Sequence, residues 1–305
     1  MAGTESLNRV PAAYVGRFAP SPTGPLHFGS LVAAVASYAD ARAAKGQWLL
    51  RIEDVDTARC TKAAETEILR QLMAYGFKAD AEVVRQSERD ELYAHAVRQL
   101  TDAGSVFACT CSRRMLETAP RNDEGEAIYP GTCRNARHAI EGYSLRLQVA
   151  DDERSLVRFV DRVCGVISQN VAVDVSDFVL RRADGLYAYQ LAVVVDDALQ
   201  GVTDIVRGED LLMNTPRQIY LQRALGVATP AYLHVPLVRS VDGEKLSKQT
   251  LAAAISVDAP LETLRAAWAF LKQADVGRAD SVAAFWPLAI AQWNPHLLRG
   301  INSCL

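Results

Sequence analysis

Residues 16–46 read GRFAPSPTGPLHFGSLVAAVASYADARAAKG, and no other stretch limits the possible folds as strongly. Pro20, Pro22 and Pro25 each fix their own φ and remove a backbone donor, so this turn runs extended and stiff. Tyr14 to Ala19 before it reads as a short strand. The alanine-rich pattern from Ser30 to Lys45 reads as a helix, with Ser30 as its cap and Gly46 as its stop. Gly24 and Gly29 allow close backbone approach at the junction, and a helix N-terminus behind glycine is built to receive an anion.

QWLLRIEDVD, residues 47–56, is apolar and turns acidic at its carboxyl end, as suits a buried parallel strand delivering polar groups to a crevice. Strand, helix, strand opens a doubly wound α/β sheet. Helical periodicity follows over 61–75 and 88–103, and the turn-rich, charged stretch 109–137 reads as an insertion. SLRLQVA (144–150) and SDFVLRRADGLYAYQLAVVVDD (176–197) read as β structure, the second ending in an apolar strand capped by Asp196 and Asp197. GVTDIVRGEDLL places Arg207 and Gly208 between a strand and a helix starting near Glu209. LHVPLVRSVDGEKLSKQT gives a strand, an Asp-Gly turn and a lysine-bearing loop, and 250–305 reads as helices. The expected organisation is a first catalytic half over 11–105, an inserted subdomain over 106–185, a second half over 186–250 and a helical remnant over 251–305.

No apolar run approaches the roughly 20 residues needed to cross a bilayer, and MAGTESLNRVPAAYV lacks the features of a secretory signal. A cytoplasmic setting is therefore expected, in which the six cysteines serve as thiols or metal ligands rather than disulfides. A net charge of −3 excludes a uniformly basic surface but leaves a local nucleic-acid-binding face open.

Neither a GxxxxGK[ST] loop nor a GxGxxG fingerprint is present, so phosphate handling needs another device. HFG, with His27 at the helix entrance, and KLSK, with Lys245 and Lys248, resemble the HIGH and KMSKS signatures of class I aminoacyl-tRNA synthetases. RFAPSPTGPLHFGS, LRIEDVDTAR, VRGEDLL and KLSK resemble the glutamyl-tRNA synthetases in the same order, over about residues 14 to 250. Two departures stand out: Ser30 replaces the last histidine of the first signature, and the second reads KLSKQ. The resemblance implies a Rossmann-like doubly wound sheet that takes ATP with Mg2+. It implies His27, Gly29 and Lys248 at the nucleotide, and His27, Lys245 and Lys248 meeting the charge of the transition state.

Glutamate carries two carboxylates and one ammonium, so a selective pocket needs two fixed cations, an anion and hydroxyl donors. Arg17, Arg207, Glu53, Ser21 and Tyr189 supply that set, and the resemblance implies that they are the glutamate contacts; which arginine takes which carboxylate stays open. Cys109-x-Cys111 and Tyr129-x3-Cys133 gather three thiols, one short of the four ligands of a structural zinc. Resemblance to zinc-bearing relatives implies Tyr129 as the fourth ligand of one structural zinc per chain, with His138 as the chemically commoner alternative. Cys60, Cys164 and Cys304 are isolated and need no metal.

About 55 residues follow KLSKQ, too few for the helical anticodon reader of full glutamyl-tRNA synthetases. Together with HFGSLVAAV and YQLAVVVDDALQGVTDIVRG, this resembles the glutamyl-Q tRNA(Asp) synthetases. That resemblance implies ATP-dependent activation of L-glutamate and its transfer to the queuosine base at the wobble position of tRNA(Asp), presented by the anticodon stem-loop to a monomer. The competing readings are a minimal glutamyl-tRNA synthetase charging tRNA(Glu), a non-catalytic RNA-binding protein, and an unrelated nucleotidylyltransferase.

Overall fold

In the computed structural model, residues 13–238 and 253–301 are described. The chain runs β1 (Val15–Phe18), α1 (Phe28–Ala43), β2 (Gln47–Ile52), α2 (Lys62–Ala74), β3 (Val84–Arg85), α3 (Asp90–Asp102) and β4 (Val106–Cys109). It continues through β5 (Ser144–Leu147), β6 (Leu156–Asp161), β7 (Gly165–Asn170), α4 (Val171–Asp174) and β8 (Phe178–Arg181). Then come α5 (Tyr189–Leu199), β9 (Asp204–Gly208), α6 (Thr215–Leu225), β10 (Ala231–Val235), α7 (Pro260–Phe270) and α8 (Val282–Gln292).

A seven-stranded sheet of order β3-β2-β1-β9-β10-β6-β7 forms the centre, and β4-β5-β8 makes a second, antiparallel sheet of three. Every pairing in the large sheet is parallel except β6 with β7. Strand order runs one way from β1 through β2 to β3 and the other way from β9 through β10, so the carboxyl ends of β1 and β9 flank a topological switch point, where such sheets bind ligands. Alternate residues of the central strands serve two cores. Val206, Leu233 and Val235 join α1, α2, α7 and α8 on one face, while Ile205 and Tyr232 join α3, α5, α6 and the small sheet on the other. The segment 106–185 thus contributes to both sheets, because β6 and β7 return to the large one.

Four local expectations change. The cap of α1 is His27 rather than Ser30: its Nδ1 accepts the Ser30 amide at 3.3 Å, because the helix starts directly behind the proline-stiffened turn. Gly46 follows the helix where a Cβ would collide with the Tyr14 backbone oxygen. YQLAVVVDD is the helix α5, not a strand; Gln190 to Asp197 are all buried, so no polar face marked the helical period. The helix expected near Glu209 is a 3-10 segment over Glu209–Asn214, and the α-helix begins at Thr215. Cys164 is disulfide-bonded, against the expectation of free thiols, and Cys304 lies outside the described residues.

Candidate active site

At the switch point a cavity of about 340 Å³ is lined by Arg17, Ser21, His27, Glu53, Tyr189 and Arg207, among others, and Gly29 also faces it. The sequence scatters these residues over nearly two hundred positions, and the parallel sheet gathers them at the carboxyl ends of β1, β2 and β9 and the start of α5. Lys245 and Lys248 lie outside the described residues. Val238, the last described residue before that stretch, lines the cavity, and Ala254 after it bridges to His27. The turn bearing His27 is fastened by Gln71, which accepts the Leu26 amide at 2.8 Å and donates to the Ile255 carbonyl at 3.0 Å.

The floor of the cavity is a buried ion network. Arg17 Nε donates to Asp197 Oδ1 at 3.2 Å, Arg51 Nη1 reaches the same oxygen at 2.8 Å, and Arg51 Nη2 reaches Glu53 Oε1 at 3.2 Å. Beside it, Asp196 accepts from Gln86, Arg89 and Tyr93 at 2.8, 2.6 and 2.8 Å. Burial pushes Asp197 up, but Arg17 and Arg51 win and hold it below the ordinary carboxylate range. Glu53 is balanced the other way: burial outweighs Arg51 and Arg17 and raises it. Desolvation and Glu53 push the Tyr189 phenol up to about 12, so it stands in the cavity as a neutral hydroxyl.

Arg207 is anchored on one side only. On β9 it lies opposite His234 of β10, its Nε donating to His234 Nε2 at 3.1 Å and its Nη2 to Thr215 Oγ1 at 2.8 Å. Its Nη1 is buried with no hydrogen-bond partner. A buried guanidinium nitrogen left unpaired in a cavity wall is ready to take a carboxylate oxygen.

A second cavity of about 740 Å³ shares Ser21, Glu53 and Tyr189 with the first and runs past Arg59, Arg113 and Arg182 to Cys111. There Cys109, Cys111 and Cys133 place their sulfurs within 4.8 Å of one another. The Tyr129 hydroxyl sits 3.5 Å from Cys109 Sγ and 3.9 Å from Cys111 Sγ, and accepts the Cys133 amide at 2.8 Å. Tetrahedral zinc with Zn–S of about 2.3 Å spaces its ligand atoms about 3.8 Å apart, so the donor set fits. His138 does not join it; its ring lies 6.1 Å from that of Tyr143. Burial lifts Cys111 to about 11, whereas hydrogen bonds led by Thr110 overcome burial and bring Cys133 down to about 6.

The family model "tRNA synthetases class I (E and Q), catalytic domain" matches residues 14–267. A glutamyl-Q tRNA(Asp) synthetase of Thiobacillus denitrificans is 58% identical over 246 residues, covering 80% of this chain and 81% of that protein. The protein of the same name from Cupriavidus metallidurans is 52% identical over 93% of this chain and 92% of its own. The chain belongs to the glutamyl-Q tRNA(Asp) synthetase family. It is a ligase-type enzyme of the class I synthetase fold. A crystal structure of glutamate-tRNA synthetase from Elizabethkingia anophelis shares that fold, with a TM-score of 0.74 at 23% identity, over 94% of this chain and 67% of that one. No helix among the described residues is long and apolar enough to cross a membrane.

Within this member of the glutamyl-Q tRNA(Asp) synthetase family, sequence reasoning missed the supports of the cavity. Arg51, Asp196, Asp197, His234 and Asp161 touch or brace the site residues. One signal was available for Arg51: it stands two residues before Glu53 on a strand, hence on the same face. His234 also stands out as a lone polar residue in the apolar run YLHVPLV.

Proposed function

We propose that this enzyme activates L-glutamate with ATP and transfers it to the queuosine base at the wobble position of tRNA(Asp). The observation that carries the reading is the 340 Å³ cavity, whose wall brings two guanidinium groups, Arg17 and Arg207, together with the carboxylates of Glu53 and Asp210 and the Tyr189 phenol. In this reading the two guanidinium groups take the two carboxylates of the substrate and Glu53 takes its ammonium. On the nucleotide side, His27 and Gly29 at the amino end of α1 offer backbone donors and a helix dipole to the phosphates of ATP, which enters with Mg2+. Lys245 and Lys248 complete the assignment by resemblance; both ends of their segment lie beside His27 and the cavity.

In the first step the glutamate α-carboxylate attacks the α-phosphorus, pyrophosphate leaves and glutamyl-adenylate forms. In the second, a hydroxyl of the queuosine cyclopentenediol attacks the adenylate carbonyl, and AMP leaves as the ester forms. The wider cavity, opening on Ser21, Glu53 and Tyr189, supports an approach for the anticodon loop past Arg59, Arg113 and Arg182. Cys109, Cys111, Tyr129 and Cys133 would hold one structural zinc, which ties the knot together when bound. The protein names of the relatives support the RNA target, and no membrane-crossing helix among the described residues stands against a cytoplasmic site of action.

The test combines two measurements. Pyrophosphate exchange is expected to depend on glutamate without tRNA and to be abolished in Arg207→Ala; a normal rate in that variant removes the pocket assignment. Labelled glutamate is expected on tRNA(Asp) bearing queuosine and on neither queuosine-free tRNA(Asp) nor tRNA(Glu). Label on tRNA(Glu) would make the chain a minimal translation enzyme instead.

A further inference from the structure

Arg207 can bind a carboxylate through Nη1 only while the rest of its guanidinium is held still, and the structure shows what holds it. Arginine has donors and no acceptor, so the nitrogen that receives Arg207 Nε–H at 3.1 Å, His234 Nε2, must present a lone pair. The imidazole proton therefore sits on Nδ1, from which it is donated to Asp161 Oδ2 at 2.7 Å. Asp161 is fixed in turn, its Oδ1 accepting the amides of Val163 and Cys164 at 2.9 Å each in the β6–β7 turn. Strand register brings the three together. Asp161 pairs with Tyr232, two residues before His234, and His234 pairs with Arg207. His234 is fully buried and lies outside the residues that line either cavity.

We propose that His234 is a positioning residue for the amino acid: Asp161 fixes its tautomer, its Nε2 fixes Arg207 Nε, and the free Nη1 is thereby aimed at a substrate carboxylate. This rests on the glutamate pocket read above. A histidine that only fills the core needs an acceptor or donor somewhere. It does not need a lone pair pointed at the one guanidinium of the cavity wall that keeps a buried, unpaired nitrogen among the described residues.

Asp161→Asn is the sharpest variant, because it is nearly isosteric and can keep both turn amides satisfied. An Asn amide presented to Nδ1 makes that nitrogen the acceptor and moves the imidazole proton to Nε2, where it meets Arg207 Nε–H, donor against donor. His234→Leu removes the acceptor outright, whereas His234→Gln offers an amide oxygen at a similar reach.

The experiment is glutamate-dependent pyrophosphate exchange on the full chain, with the Michaelis constants for glutamate and for ATP measured separately and folding followed by thermal unfolding. Wild-type exchange that needs glutamate and is lost in Arg207→Ala must come first; without it the pocket reading itself fails and His234 is not at issue. With that in hand, Asp161→Asn and His234→Leu are expected to raise the glutamate KM about tenfold or more, the loss of one hydrogen bond to a charged group, and to leave the ATP KM within about twofold. His234→Gln is expected to return the glutamate KM to within about threefold of wild type. An unchanged glutamate KM in a folded Asp161→Asn or His234→Leu protein overturns the proposal. So does a loss in which both Michaelis constants and kcat follow thermal stability, or one that His234→Gln leaves uncorrected. If Asp161→Asn does not fold, the His234→Leu and His234→Gln pair decides alone.

Discussion

The ion network under the cavity and the cysteine knot beside it both bury reactive groups, yet they are balanced in opposite ways. Arg17, Arg51, Glu53 and Asp197 neutralise one another within about 3 Å, so the network stands without any ligand. Cys109, Cys111, Cys133 and Tyr129 turn four ligand atoms toward one point, and none of the four takes part in an ion pair among the described residues. Arg146 stands over the Tyr129 ring at 4.0 Å, but its Nη1 donates to the Asp177 carbonyl. The first region is a finished scaffold and the second a half-built one, which makes the network independent of metal and the knot dependent on it.

The largest effect should come from breaking the network. Asp197→Leu removes the one carboxylate shared by Arg17 and Arg51, both almost wholly buried; Arg17 loses its one ion pair among the described residues, and Arg51 keeps Glu53 and Asp196 alone. A loss of about 3–5 kcal/mol is expected in urea unfolding, equal with and without zinc. Dependence of that loss on zinc would merge the two regions into one unit. Next in size is metal removal. Free zinc a hundredfold above its Kd should stabilise the folded chain by about 2.7 kcal/mol, an increment that Cys133→Ser abolishes while its metal-free stability stays near wild type. A knot variant equally destabilised in chelator would show that the thiols serve as ordinary core.

Glu53 sharpens the contrast within the network. Burial raises its pKa against the pull of Arg51 and Arg17, so in acid the native state holds a proton that the unfolded state has released. Stability from this group therefore falls as pH rises from about 4.3 through the raised folded value. Asp197 is depressed and acts with the opposite sign: its contribution is complete above about 3.9 and is lost as pH falls through the folded value. Glu53→Gln should erase the first dependence and keep the second. At neutral pH it should leave the empty protein no less stable while raising the glutamate KM about tenfold to a hundredfold, because the substrate ammonium loses its anion. A stability loss matching that of Asp197→Leu would make Glu53 a member of the scaffold rather than a ligand group.

How far the sequence foretold this depends on where each signal is local. The proline-stiffened turn, the strand QWLLRI and the helix behind His27 are set by residues within a few positions, and they form as expected. The class of the fold follows from their order. YQLAVVVDD misleads because a helix buried on every side carries no polar stripe, and its β-branched run mimics a strand. The cavity residues were legible as charged groups at strand ends. Their braces were not, since Asp161, His234 and Arg207 meet only through the register of three neighbouring strands, one of which, β6, is separated from β9 and β10 by two further strands in the chain.

The smallest effect tests whether the two regions speak to each other at all. Arg217, on α6 and largely buried, forms an ion pair with Glu126, which sits in the knot loop and is about half exposed at 48%. Solvent screens such a pair, so Glu126→Ala should cost no more than about 1 kcal/mol in thermal unfolding of the zinc-loaded protein. Salt should weaken that cost further, as it does for exposed pairs. Because Arg217 pairs with Glu126, whereas Arg17 and Arg51 pair with Asp197 and Glu53, glutamate-dependent exchange should keep its wild-type KM in this variant. A raised glutamate KM there would mean that the knot loop, acting through α6 and its first residue Thr215, helps to seat Arg207. In that case the finished scaffold would depend on the half-built one, and loading the knot with metal would tighten the amino-acid pocket.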